Sequence, residues 1–129
     1  MTDIISGWKN HFVLKRGPNQ PAEVGRLALP AGRYSIWAKF YVGIPRPEGL
    51  ASTVRSRLQA GNDFDIAIIT HDGTIPNVSA ALNVVHDFPQ AGSAVLTCEF
   101  LFAPGDTDIE FIKITAVNAE SLVNNPLPN

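Results

Sequence analysis

One segment of the chain has the pattern of a long β-strand whose two faces differ in chemistry. It follows the turn signal Pro30-Ala31-Gly32 and covers residues 33–43. Side chains of a strand alternate between its faces, so one face carries the apolar residues Tyr34, Ile36, Ala38, Phe40 and Val42. The opposite face carries Arg33, Ser35, Trp37, Lys39 and Tyr41. Large aromatic side chains among polar and charged neighbours predict a face that contacts another copy of the chain, a ligand, or a long side chain of a neighbouring strand.

The rest of the chain is divided into segments of similar length. Ten glycines and ten prolines are spaced along it, and no segment shows a sustained helical period. The predicted strands are residues 10–16, 22–29, 33–43, 52–59, 64–70, 78–86, 93–102 and 108–118. This pattern predicts an all-β jelly-roll sandwich of about 8 to 10 antiparallel strands. We expect one domain over residues 1–129, with residues 1–9 and 119–129 peripheral or flexible.

Two further strands have faces that can be assigned. In residues 52–59 the core side is predicted to hold Val54, Ser56 and Leu58, opposite Thr53, Arg55, Arg57 and Gln59. In residues 93–102 the core side is predicted to hold Ala94, Leu96, Cys98, Phe100 and Phe102, opposite Val95, Thr97, Glu99 and Leu101. Apolar residues on the outward sides, to which we also assign Ile69 and Val85, are typical of contacts between subunits.

Composition excludes several classes of partner. The chain has 129 residues and a net charge of -2, which gives no electrostatic basis for binding nucleic acid or an anionic membrane. A single cysteine excludes an internal disulfide and a thiolate zinc cluster. The sequence has neither a secretory signal pattern nor an apolar run long enough for membrane insertion. We expect a soluble protein, cytoplasmic or released by a signal-independent route.

Four blocks of sequence, in order, resemble a known family. They are Leu29-Pro30-Ala31-Gly32-x-Tyr34-x-Ile36-x-Ala38-Lys39, Val54-x-Ser56-Arg57-Leu58-x-Ala60-Gly61, Gly92-x-Ala94-Val95-Leu96-Thr97-Cys98 and Ile112-Lys113-Ile114-Thr115-Ala116-Val117. Together they resemble the bacterial branch of the jelly-roll heads of tumour necrosis factor and complement proteins. The resemblance implies a tumour necrosis factor-like jelly roll that forms a homotrimer and binds ligands at subunit grooves or loops. Such sequences often have a cysteine at the position of Ser56, so we interpret the remaining Cys98 as a small buried residue.

Catalytic and metal-binding motifs give little support to an enzyme. The sequence lacks the motifs of a nucleophile elbow, a phosphate-binding loop and a dinucleotide site. Neither the three histidines nor two aspartate pairs have the spacing of a zinc or calcium site; these residues are His11, His71 and His86, and Asp63/Asp65 and Asp106/Asp108. We interpret His86 as a core-edge residue and His71 as part of a hairpin turn. We therefore predict no catalytic residues, no metal and no cofactor.

The candidate binding residues combine aromatic and polar side chains. Trp37 or Tyr41 would supply an apolar surface for sugar C–H groups, and the polar edge would come from Arg55, Arg57, Asn62 or Asp63. Residues 43–49 are either a binding loop or a stiff surface connection. We predict a non-enzymatic homotrimeric module that binds a carbohydrate or protein ligand. The alternatives are a structural or assembly module, such as a fibre tip, particle component or trimerisation head, and a small hydrolase or lyase.

Overall fold

The computed structural model describes residues 3–128 and confirms the all-β prediction. The strands are β1 (Ile4–Leu14), β2 (Ala22–Leu29), β3 (Gly32–Gly43), β4 (Ser52–Ala60), β5 (Asp63–His71), β6 (Asn77–Phe88), β7 (Gly92–Phe102) and β8 (Thr107–Ala119). No helix in this part of the chain is long and apolar enough to cross a membrane.

The strands form two four-stranded sheets packed as a sandwich. Sheet A has the order β1-β8-β3-β6 and sheet B has the order β2-β7-β4-β5. All neighbouring strands are antiparallel. The chain changes sheet at every connection except the short turn between β4 and β5. This strand order is that of a jelly roll, as the sequence predicts.

The core lies between the sheets and follows the predicted alternation in β3. Tyr34, Ile36 and Phe40 are at most 1% exposed, and the Tyr34 hydroxyl donates a hydrogen bond of 2.9 Å to the Pro30 carbonyl oxygen. Cys98 is fully buried, and burial raises the pKa of its thiol to about 12. The interpretation of Cys98 as a buried packing residue is therefore confirmed.

Three details of the predicted strand bounds and faces are wrong. The first strand begins at Ile4 and ends at Leu14, instead of covering residues 10–16. Phe102 is 63% exposed and not part of the core, because the register of β4 against β7 shifts between Thr53 and Val54. Ile69, predicted to face outward, is 6% exposed because it pairs with Val54, whose side chain faces the core.

Side chains join the two sheets along one side of the sandwich. Asp63 at the start of β5 lies 2.7 Å from Nδ1 of His86 on β6, and Asp65 accepts a hydrogen bond from the backbone N–H of Asn83. The side chain of His86 is only 14% exposed, which confirms it as a core-edge residue. These contacts link the edge strands β5 and β6, so this side of the sandwich is closed.

The two ends of the chain differ, because the first strand pairs with β8 from Ile4 onward whereas the last residues form no strand. Residues 4–9 belong to β1 at the edge of sheet A, and residues 120–128 contain no strand. The predicted single domain also includes Met1, Thr2 and Asn129, which lie outside the described residues.

Candidate functional site

Exposed aromatic side chains gather on the solvent side of sheet A. Trp8 is 72% exposed, Trp37 53% and Phe111 51%, and Tyr41 is half-buried beside them. They come from β1, β3 and β8, which are adjacent in the sheet. We call the surface formed by Trp8, Trp37, Tyr41 and Phe111 the aromatic face. Both tryptophans of the chain lie on it.

Strand register determines the layout of this surface. Trp8 pairs with Lys113 on β8, and Trp37 pairs with Thr115 on the same strand. The two tryptophans are therefore two strands apart and one side-chain row apart, which places their Cα atoms roughly 12 Å from each other. In the same row as Trp37, Oγ of Ser6 lies 3.2 Å from Oγ1 of Thr115. Two hydroxyl groups therefore accompany the tryptophans on this surface.

A bulge in β8 turns Phe111 toward solvent. The register between β3 and β8 shifts between Lys39 and Tyr41, and Phe111 has φ of 51°. A left-handed conformation costs an L-residue with a Cβ roughly 1–2 kcal/mol, so this backbone is strained. The conformation places the Phe111 ring edge-on to Tyr41, with 5.9 Å between ring centroids. Bulges often redirect side chains in this way next to functional sites.

Polar side chains beside the tryptophans are held in fixed positions. Asn83, the cross-strand partner of Trp37, donates hydrogen bonds from Nδ2 to the Ile36 carbonyl oxygen at 2.8 Å and to Oγ of Ser35 at 3.3 Å. Nζ of Lys39 lies 5.1 Å from the centre of the Tyr41 ring, within cation–π distance. The surface can therefore offer flat apolar rings together with ordered hydrogen-bonding and positively charged groups.

The structure does not bring all the predicted site residues together. Trp37 and Tyr41 share the aromatic face, whereas Arg55 and Arg57 lie on the outer side of sheet B. Arg55 forms an ion pair with Glu99. The guanidinium carbon of Arg57 lies 4.1 Å from the centre of the Phe64 ring. Within one chain, the two arginines therefore do not lie beside Trp37.

Asn62 and Asp63 are also separate from the aromatic face. Asn62 belongs to the turn between β4 and β5, and Asp63 is engaged by His86. Gly61 precedes them with φ of 59°, and a Cβ on it would lie 2.3 Å from the His86 ring. This turn is therefore tightly packed. Within one chain, Asn62 and Asp63 therefore do not form a single site with Trp37.

Trp8 and Phe111 are not among the site residues predicted from the sequence. Trp8 precedes residue 10, the predicted start of the first strand, although the alternation of Ser6 and Trp8 with Ile5 and Gly7 continues that strand. Phe111 was missed because the bulge interrupts the alternation of β8. Phe111 and Ile112 are both apolar, so the sequence does not show which of the two faces solvent.

A second exposed apolar surface lies on sheet B. We call it the β5 stripe; it consists of Phe64, Ile66 and Ile68, which are 52%, 43% and 62% exposed. The stripe is on the opposite side of the sandwich from the aromatic face. Apart from Phe64 it is aliphatic, and its chemistry differs from that of the aromatic face.

Residues 43–49 behave as an anchored connection. The backbone N–H of Arg46 donates to the Asp106 carbonyl oxygen at 3.0 Å, and its guanidinium donates to Oδ2 of Asp108 at 2.6 Å. Burial raises the pKa of Asp108, but the hydrogen bond from His11 and the charge of Arg46 outweigh burial and leave this pKa below its ordinary value. The interpretation as a stiff surface connection is favoured over that of a binding loop.

The remaining histidine is packed in the interior. His71 is the last residue of β5 and is fully buried, with Nδ1 accepting a hydrogen bond of 2.9 Å from the backbone N–H of Gly73. It thus ends the strand instead of lying in the turn. Within residues 3–128, no three side chains of His, Cys, Asp or Glu are grouped so that they could hold a metal ion.

Comparison with known proteins gives loose similarities. No protein-family model and no curated protein sequence matches the chain. Among solved structures, the CBM22-1 xylan-binding domain of Xyn10C from Paenibacillus barcinonensis is 15% identical, with a TM-score of 0.47 over 90% of this chain and 94% of that one. The C-terminal CBM6 of the laminarinase LamC from Zobellia galactanivorans is 15% identical, with a TM-score of 0.41 over 89% of this chain and 99% of that one. Strand order and register, and not these similarities, identify the fold as a jelly roll.

Proposed function

We propose that this protein is a non-catalytic carbohydrate-binding module and that the aromatic face is its binding surface. The observation that carries the proposal is the exposure of both tryptophans, Trp8 and Trp37, on one side of one sheet. Exposed apolar area of this kind marks an interaction site, because leaving large rings in water is unfavourable.

The polar surroundings of the rings favour a sugar as the ligand. A pyranose has a face of C–H groups, which packs on an aromatic ring, and a rim of hydroxyls, which needs donors and acceptors. Thr115 and Asn83 are the cross-strand neighbours of Trp37 and place a hydroxyl and an amide oxygen on either side of it.

We further propose that the module is a homotrimer, as the resemblance to tumour necrosis factor-like heads implies. The β5 stripe supports this arrangement, since Ile66 and Ile68 offer aliphatic area for a subunit contact. Burying the β5 stripe leaves the aromatic face open, because the two surfaces belong to different sheets. The ligand would then bind beside or between subunits.

An assembly module is the second candidate function. It is favoured by the extension of the apolar area to the sheet edge, where Ile4 is 70% exposed near Trp8. In that case the aromatic face would be covered by another copy of the chain or by a particle component. The measured mass and the accessibility of the tryptophans separate the two candidates.

A glycan array with three proteins tests the carbohydrate proposal. The wild type and Phe102→Ala should bind the same glycans, since Phe102 is exposed on sheet B and serves as the matched control. Trp37→Ala should weaken binding by about 30-fold, the loss typical of an aromatic side chain central to a binding surface. Equal binding by Trp37→Ala and the wild type would contradict the proposal.

The mass in solution, measured by sedimentation or light scattering, accompanies the array. A trimer dissociated by Ile68→Asp but not by Trp37→Ala supports the β5 stripe as the subunit contact. A trimer dissociated by Trp37→Ala, together with a blank array, would instead favour the assembly module.

A further inference from the structure

Two lysines stand side by side on the aromatic face. Lys39 on β3 and Lys113 on β8 are directly paired across the two strands, and both are exposed. Trp8 is paired with Lys113 from the other side. The positive charges therefore lie between the row of Trp37 and the end of the surface that carries Tyr41 and Phe111.

Neither lysine has a carboxylate partner within residues 3–128. The ion pairs of this part of the chain involve other cations: His11, Lys15, Arg26, Arg33, Arg46, Arg55 and His86. Lys39 instead extends over the Tyr41 ring. The charges of Lys39 and Lys113 are thus uncompensated by neighbouring acids.

The nearest acidic residues along β8 are directed elsewhere. Oε1 of Glu110 lies 3.7 Å from the position that a Cβ on Gly43 would occupy, which is at the far end of β3. Asp108 is held by His11 and Arg46. Like charges directly opposite each other on a sheet are destabilising. The pair is therefore a cost to the fold that an anionic ligand would offset.

From this pair we infer that the ligand is an acidic oligosaccharide, an inference that rests on the proposed carbohydrate function. Sugar rings would pack on the tryptophans, while a carboxylate or sulfate group on the chain would lie over Lys39 and Lys113. Trp8 and Trp37 lie two strands apart, with roughly 12 Å between their Cα atoms, a separation that favours a ligand of more than one sugar. The ligand class is thus a negatively charged chain of several sugars.

Titration with matched glycans tests the inference. The probes are an oligogalacturonate and its methyl ester, a sulfated galactan oligosaccharide and its desulfated form, and free galacturonate. The wild type should bind at least one acidic oligosaccharide about tenfold more tightly than its neutral counterpart, the gain expected from two exposed ion pairs. Whether the larger difference appears between the galacturonate probes or between the galactan probes shows whether the recognised group is a carboxylate or a sulfate. Free galacturonate should bind far more weakly than the oligomer.

Charge-matched variants locate the effect. The double variant Lys39→Gln/Lys113→Gln should abolish the preference for the acidic form while keeping the affinity for the neutral form. Lys15→Gln, which removes one exposed charge elsewhere, should keep the preference. Lys113→Gln should also not lower the melting temperature, because it relieves the repulsion with Lys39.

Three results would contradict the inference or the proposed function. Equal affinity for acidic and neutral forms would overturn the acidic ligand and leave carbohydrate binding intact. A preference for the acidic form that survives the double variant would overturn the role of the two lysines. Failure to bind any glycan would overturn this inference and the proposed function together.

Discussion

Because the backbone of Phe111 is strained, we predict that glycine is more stable than alanine at this position, the reverse of their usual order in a strand. Phe111→Ala and Phe111→Gly both remove the ring, but only glycine adopts φ of 51° without penalty. Relief of the left-handed conformation is worth roughly 1–2 kcal/mol. Glycine loses roughly 0.5–1 kcal/mol to alanine in an ordinary strand. The glycine variant should therefore be more stable than the alanine variant by about 1 kcal/mol, or about 3 to 5 °C in melting temperature.

Chemical and thermal denaturation of the two variants provide the assay. The same substitutions at Val117, a residue of β8 with no positive φ, are the control, and there alanine should be more stable than glycine. Both Phe111 variants should lose affinity for the ligand to the same extent, because both lack the ring beside Tyr41. If alanine proves more stable than glycine at position 111, the bulge is not strained and the argument that it redirects Phe111 fails.

The interior and the ion pairs give three further predictions. Tyr34→Ala should lower the free energy of unfolding by about 3 to 5 kcal/mol, since the ring is buried, and a near-neutral value in urea unfolding would contradict the strand phasing. Cys98 should resist a thiol reagent at pH 8 in the folded protein and react once denatured, because burial raises its thiol pKa to about 12; rapid reaction would show that the site opens. Asp108→Asn should cost about 1 kcal/mol near neutral pH. Because the pKa of Asp108 is lowered in the fold, its contribution is present above about pH 4 and is lost as the pH falls through the lowered value. Unfolding curves for both proteins should therefore converge in acid, and a gap independent of pH would refute the role of this charge.

The fold was largely predictable because each strand carries its own pattern. In β3 every second residue from Tyr34 to Val42 is apolar, and burial of one face is enough to fix both the strand and its orientation. Ile69 shows the limit of this reasoning. The segment Ile66-Ala67-Ile68-Ile69 is apolar on both faces, so only its pairing with β4 decides which side is buried.

The candidate site was only half predictable. Trp37 and Tyr41 were found because they interrupt a polar face in a regular strand. Trp8 and Phe111 reach the same surface through the pairing of distant segments and through a bulge, and neither is encoded by local alternation. Arg55 and Arg57 were assigned to the site by residue type, but which sheet a strand joins depends on the topology of the whole chain.

The fluorescence of the two tryptophans gives the most direct test of the aromatic face as the binding surface. Trp8 and Trp37 are the only tryptophans of the chain, so their quenching by acrylamide reports on this surface without an added label. The free protein should be quenched efficiently, and an oligosaccharide selected on the array should protect the indoles in proportion to its occupancy. Unchanged quenching at saturating ligand would place the ligand elsewhere and contradict the account.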